Sequence, residues 1–182
     1  MRHGRPDIDE STPIPAARFP DWLDAYRQAP LVREMPPASA IEAVRRADLV
    51  VCSPLRRSID SARRLGIERP RILYGFEEMA MPHGALPLLR LSARGWATLF
   101  RLLWLAGYAV NASEHRRQGT RRAARAARQL IELAADQGTV LFVGHGIFNR
   151  FLARQLRALG WAGPKDPGRG HWAWAEYLPP AK

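Results

Sequence analysis

The sequence predicts an α/β fold: one domain over residues 1–182, with a mainly parallel central sheet and helices on both faces. Three observations carry this expectation. Strand-like and helix-like segments alternate along the chain. The runs at 49–52 and 139–143 are apolar throughout, as strands covered on both faces are. The length of 182 residues with 47% hydrophobic content suits one domain. A chain of this size hides roughly 70% of its unfolded surface.

The elements follow in order. Residues 20–29 predict a helix: Pro20 suits an opening turn, Trp22, Leu23 and Tyr26 recur at helical spacing, and Pro30 ends it. Ser39 is the expected cap of a helix running to about Arg46. The run 49–52 predicts a buried strand, closed by Ser53-Pro54. A helix is expected over 57–65, stopped by Gly66. Residues 71–74 predict a second strand and 82–87 a loop. Residues 91–108 read as mostly helical, with Gly95 weakening the interior. Thr120 is the expected cap of a helix to about Asp136, with Leu130, Leu133 and Ala134 facing inward. The run 139–143 predicts a third buried strand, and 148–159 a helix stopped by Gly160. Residues 172–178 alternate enough to predict a last, edge strand.

The net charge is +11. The basic residues are nearly all arginine, which favours an anionic partner without naming one. Cys52 is the single cysteine, so no disulfide framework or cysteine zinc site is expected, and a reducing cytoplasm is the default location. The most apolar stretch, 96–108, contains Arg101 and Gly107 and is too short for a membrane span. The sequence shows no His-x-x-x-His, Walker loop or dinucleotide fingerprint, so no metal and no cofactor is expected.

Ligand sites in open parallel sheets lie beyond the carboxyl ends of the strands. Ser53 and Arg57 follow one strand there, and His145 follows another. Glycines on both sides of His145 allow close approach of the backbone to a ligand. Three short motifs stand far apart: Arg2-His3-Gly4, Ser53-Pro54-Leu55-Arg56-Arg57-Ser58 and Gly144-His145-Gly146. Together they offer an imidazole nucleophile and guanidinium forks, which suits phosphoryl transfer.

In these motifs the chain resembles the histidine phosphatase superfamily, which includes the cofactor-dependent phosphoglycerate mutases and the bacterial phosphohistidine phosphatases. The resemblance implies a phosphoglycerate mutase-like fold and a metal-independent phosphomonoesterase. It makes His3 the nucleophile that carries the phosphoryl group, with Arg2 and Arg57 as clamps on its oxygens. His145 would donate to the same group and steady the transition state. The general acid is expected from the loop after the second strand, as Glu78 in preference to Glu77. His83 is a further candidate at the entrance. Residues 80–119 would form the substrate-side insert. The substrate would be a small phosphorylated metabolite or a phosphohistidine protein.

The sequence departs from the family's pattern in three places. The family has a buried strand directly before the Arg-His-Gly motif, where only Met1 stands here, so a sheet short of one strand is expected. Asp9 occupies the position of a phosphate-holding Asn in the mutases. The glutamate loop lacks a glycine-rich setting. These departures favour a phosphatase over a phosphomutase. A non-catalytic basic module for nucleic acid or another anion, motivated by the arginines of 116–128, is the remaining alternative. That run has no aromatic residues for stacking on bases. The four side chains Arg2, His3, Arg57 and His145 are expected around one cavity, with the histidines no more than about 10 Å apart, a separation already well beyond contact and hydrogen-bond range.

Overall fold

The computed structural model describes residues 1–84, 86, 88–108 and 114–180. The elements run β1 (Pro13–Pro15), α1 (Phe19–Gln28), α2 (Ala38–Arg45), β2 (Leu49–Cys52), α3 (Arg56–Arg64), β3 (Arg71–Ile72), β4 (Arg90–Ser92), α4 (Ala93–Leu105), α5 (Arg116–Gln137), β5 (Val140–Val143) and α6 (Gly146–Ala158). Parts of the expected loop (85 and 87), of the expected insert (109–113) and of the tail (181–182) lie outside the described residues.

The central sheet is parallel, in the order β3-β2-β5. Leu49 pairs with Val140 and Cys52 with Val143, so β2 and β5 end level with one another. Residues 1–3 add a fourth line beyond β5. The Met1 amine donates to the Phe142 carbonyl at 2.8 Å, and Gly144 N–H donates to the Met1 carbonyl at 2.9 Å.

Alternation along the strands sends side chains to two cores. Val51 and Phe142 join Trp104, Leu133, Phe148 and Phe151 in a core with α4, α5 and α6. Val50, Cys52 and Val143 pack on the opposite face with Ala62 of α3 and Val44 of α2. Both faces are covered, as the apolar strands require. A satellite core joins α1 to α4 through Phe19, Trp96 and Phe100. The apolar stretch 96–108 thus supplies the buried side of α4, through Trp96, Phe100, Arg101 and Trp104. Among the described residues no helix is long and apolar enough to cross a membrane.

Four expectations are corrected. Ser39 lies inside α2, whose cap position is Pro37. Thr120 also lies inside its helix, with its hydroxyl on the Arg116 carbonyl at 2.9 Å. The helix starts a turn earlier because Gln118 satisfies the backbone N–H of His115 at 2.8 Å. Residues 90–92 are not helical; they pair antiparallel with Pro13–Pro15 as a short ribbon, and Ser92 caps α4 by accepting from Gly95 N–H at 3.1 Å. Prolines at both ends of β1 hid it in the sequence, since they suit only edge strands. Residues 172–178 form no strand beyond an isolated bridge between Leu178 and Ala162. Trp172 takes φ +64°, which breaks the extended run and lays its ring over Gly4.

Candidate active site

The level ends of β2 and β5 place Ser53 and His145 side by side, and the first residues of the chain close the group. His3 N–H donates to the Gly144 carbonyl at 2.9 Å, which brings the His3 ring to 5.3 Å from the His145 ring, centroid to centroid. Gly144 is required here: a Cβ would stand 2.3 Å from the Phe142 ring and 2.7 Å from Asn149 Oδ1. Gly4 is required for a similar reason, with the Trp172 ring 2.4 Å from where its Cβ would be. Asn149 braces the turn, accepting from His145 N–H at 3.3 Å and donating to the Met1 carbonyl at 3.0 Å.

His3 is 1% exposed. Its Nδ1 lies 2.7 Å from the Gly4 carbonyl, which only accepts, so Nδ1 carries the hydrogen. Nε2 therefore holds a lone pair, and it accepts from Arg57 Nε at 3.2 Å. Burial, then the Arg57 guanidinium, holds the His3 imidazole well below the ordinary histidine range, so the ring is neutral at pH 7. The same two causes, in the same order, hold His145 low. His145 Nε2 meets Ser53 Oγ at 2.6 Å, while its Nδ1 is enclosed with no partner.

Arg57 lies in the first turn of α3 and is 4% exposed. Its guanidinium lies over the Tyr26 ring at 5.0 Å from the centroid, and Nη1 is enclosed without a partner. Burial lowers its affinity for the proton. Arg2 Nε is also enclosed and unpartnered, while Nη1 donates to the Arg169 carbonyl. Among the described residues, no ion pair includes Arg2 or Arg57. Arg2 Nε, Arg57 Nη1 and His145 Nδ1, from three segments, are left unsatisfied; Arg57 bonds His3 through Nε, the His145 ring is its neighbour, and the Arg2 charge acts on it. Desolvated cations and donors in that state are costly unless an anion completes them.

Glu78 and Glu77 point to different places. Glu78 Oε1 accepts from Met79 N–H at 2.9 Å and Phe148 N–H at 2.8 Å, and Oε2 from Ile147 N–H at 3.1 Å. It thus sits at the start of α6, close enough for its charge to act on Arg57 and Tyr26. Glu77 turns to Gly75 N–H at 3.2 Å and to Arg122 at 3.9 Å. Asp9 turns to its own loop. Its Oδ1 accepts from Ser11 N–H, Ser11 Oγ and Thr12 N–H, which holds its carboxyl far below the usual range. His83 is partly buried in the following loop and makes no hydrogen bond to the group.

Several residues of the site escaped the sequence reading. Arg122 donates to the carbonyls of Gly75 and Glu77 at 3.0 and 2.7 Å, and Arg101 to those of Met79 and Ala80 at 3.0 and 3.1 Å. These two arginines fix the glutamate loop. The one visible signal was Arg101, a charge alone inside an apolar helical run. Tyr26 lies under the Arg57 guanidinium. His171, whose Nδ1 lies 3.1 Å from the His3 carbonyl, sets its ring tilted to that of His3, 5.3 Å from it between centroids.

The chain matches the sequence profile of the histidine phosphatase superfamily, branch 1, over residues 26–168. It belongs to that superfamily. Solved structures of similar fold include the protein of the Mycobacterium tuberculosis reading frame Rv3214. That structure is 21% identical with a TM-score of 0.55, covering 85% of this chain and 76% of the other. A mycobacterial glucosyl-3-phosphoglycerate phosphatase complexed with VO3 is 20% identical at TM-score 0.53, covering 99% and 96%. A putative α-ribazole-5'-P phosphatase from Escherichia coli is 19% identical at TM-score 0.51, covering 87% and 76%. No curated protein sequence matches significantly. At these identities the structural likeness concerns the fold, which is the phosphoglycerate mutase-like α/β arrangement. Among the described residues there is no group of three or more His, Cys, Asp or Glu side chains placed to hold a metal ion.

Proposed function

We propose that the protein is a metal-independent phosphomonoesterase that works through a phosphohistidine on His3. The observation that supports this most directly is the set of buried, unpartnered donors around the neutral His3 ring. A phosphoryl group supplies the acceptor oxygens they lack. Arg2 and Arg57 supply the positive charge that its equatorial oxygens need as the bond breaks.

On binding, Arg57 releases His3 Nε2 and turns its fork to the phosphoryl oxygens, which frees the lone pair for attack. A bond forms from Nε2 to phosphorus as the ester P–O bond breaks, and the leaving oxygen takes a proton from Glu78. Water then attacks phosphorus and returns a proton to Glu78; the P–N bond breaks and its electron pair goes back to Nε2. The Nδ1–H bond to the Gly4 carbonyl steadies the ring while it carries charge. Oε2 of Glu78 holds one backbone partner and Oε1 two, which makes Oε2 the atom that yields its partner to carry the proton. The substrate is a small phosphorylated metabolite or a phosphohistidine protein; the phosphatase names of the neighbouring structures favour an organic monoester.

The test is phosphate release together with acid and base treatment of quenched enzyme. Wild type is expected to retain a base-stable, acid-labile phosphate. His3→Ala is expected to fold, retain none and lose turnover. Full turnover in His3→Ala rules the mechanism out.

A further inference from the structure

We infer that Ser53 is a positioning residue: its hydroxyl holds His145 as the tautomer with hydrogen on Nδ1, and so presents that N–H to the anion site. Ser53 is fully buried directly after β2, where its N–H meets the Val143 carbonyl at 3.4 Å. Its Oγ lies 2.6 Å from His145 Nε2 and accepts from Leu55 N–H at 3.3 Å. Hydrogen-bond bookkeeping separates the two tautomers. With hydrogen on Nε2, Ser53 Oγ accepts twice, its own hydrogen has no acceptor among the described residues, and Nδ1 turns a lone pair toward an anion. With hydrogen on Nδ1, the hydroxyl donates to Nε2 and accepts from Leu55. Every atom of the pair is then satisfied except Nδ1–H. That atom is enclosed and unpartnered, on a ring that the Arg57 and Arg2 charges both act on. Ser58 Oγ, 3.5 Å from the same Nε2, adds a second hydroxyl on that side.

The ring nitrogen that carries hydrogen is set by what the other one meets. Without the Ser53 hydroxyl, His145 divides between tautomers and the donor faces the phosphoryl group only part of the time. The effect on turnover rests on the phosphatase reading; the tautomer itself does not.

The experiment is nitrogen-15 NMR of the imidazoles in the phosphate-free protein, with steady-state kinetics on the same samples. In wild type, His145 is expected to show a pyrrole-type Nδ1 and a pyridine-type Nε2. In Ser53→Ala both signals move toward the tautomer average, and Ser53→Thr, which keeps the hydroxyl, restores them. kcat is expected to fall roughly 10- to 100-fold in Ser53→Ala, the usual range for losing a group that orients a site ligand, with KM little changed. A pyrrole-type Nε2 in wild type, or an unchanged His145 spectrum in Ser53→Ala, overturns the inference. If the spectra behave as expected while wild type shows no phosphatase activity, the Ser53 assignment stands and the proposed function fails.

Discussion

Replacing Arg57 with Met is expected to raise the stability of the ligand-free protein while removing its affinity for phosphate. The guanidinium is 4% exposed, has no carboxylate partner and leaves Nη1 unsatisfied. An uncompensated buried ion costs several kcal/mol. Against that stand the bond from Nε to His3 and the contact with the Tyr26 ring, each worth about 1 kcal/mol. Met follows the aliphatic stem of arginine, so little packing is lost. The net expectation is a gain of about 1–3 kcal/mol, which for a chain of this size raises Tm by roughly 3–10 °C. Wild type should respond in the opposite way to ligand: phosphate or vanadate at about 100 times Kd adds ~2.7 kcal/mol. The variant should show no such shift, and its kcat/KM should fall by about 1,000-fold. Thermal unfolding of both proteins with and without phosphate is the assay. A variant that melts below wild type and still gains stability from phosphate refutes the reasoning, because the guanidinium would then be neither costly nor a ligand.

Two further outcomes are expected. Glu78→Gln should slow esters of poor leaving groups by roughly 100-fold or more, the usual size of general acid assistance, and activated aryl phosphates much less. Glu77→Gln should show no such selectivity; a selective defect there instead would move the acid to Glu77, and none in either would remove it from this loop. Acid should weaken the fold through buried neutral histidines. His171 is held down to about 4, by burial first and then by Arg2. In the unfolded chain it takes a proton near 6.5. A base whose folded value is depressed gives stability that is full above about 6.5 and lost as pH falls toward 4. Because His171 is only partly buried, solvent screening reduces its share to about 1–2 kcal/mol. His3 and His145 add losses of the same sign below 6.5. Urea unfolding at pH 7, 6 and 5 measures the slope, and a flat profile excludes the neutral-histidine picture.

What the sequence disclosed and what it hid divide along the range of the contacts. The runs 49–52 and 139–143 are apolar without interruption, and each is followed at once by polar residues. The buried strands and the edge that carries Ser53 and His145 could therefore be read locally. The adjacency of His3 to His145 was readable only through motifs, since the pairing spans 141 residues between Gly144 and His3. The roles of Arg101 and Arg122 were not readable, because each depends on carbonyls of a loop brought in from elsewhere. Local pattern also misled. The alternation of 172–178 suited a strand, but Trp172 takes φ +64° and its ring lies over Gly4.

That ring also ties the last part of the chain to the first. Arg2 N–H bonds the Ala173 carbonyl at 2.8 Å, and Trp172 N–H bonds the Arg2 carbonyl at 3.1 Å. During synthesis, His3 leaves the ribosome before the strand, the turn or the tryptophan that hold it. At about 5–20 residues per second, the segment from His145 to Trp172 follows it by seconds or tens of seconds. A chain that stops short of residue 172 therefore carries His3 without the Trp172 ring over Gly4 and without the Ala173 carbonyl on Arg2, two of the contacts that hold its first residues in place. Those contacts are completed only when the segment around Trp172 has been made.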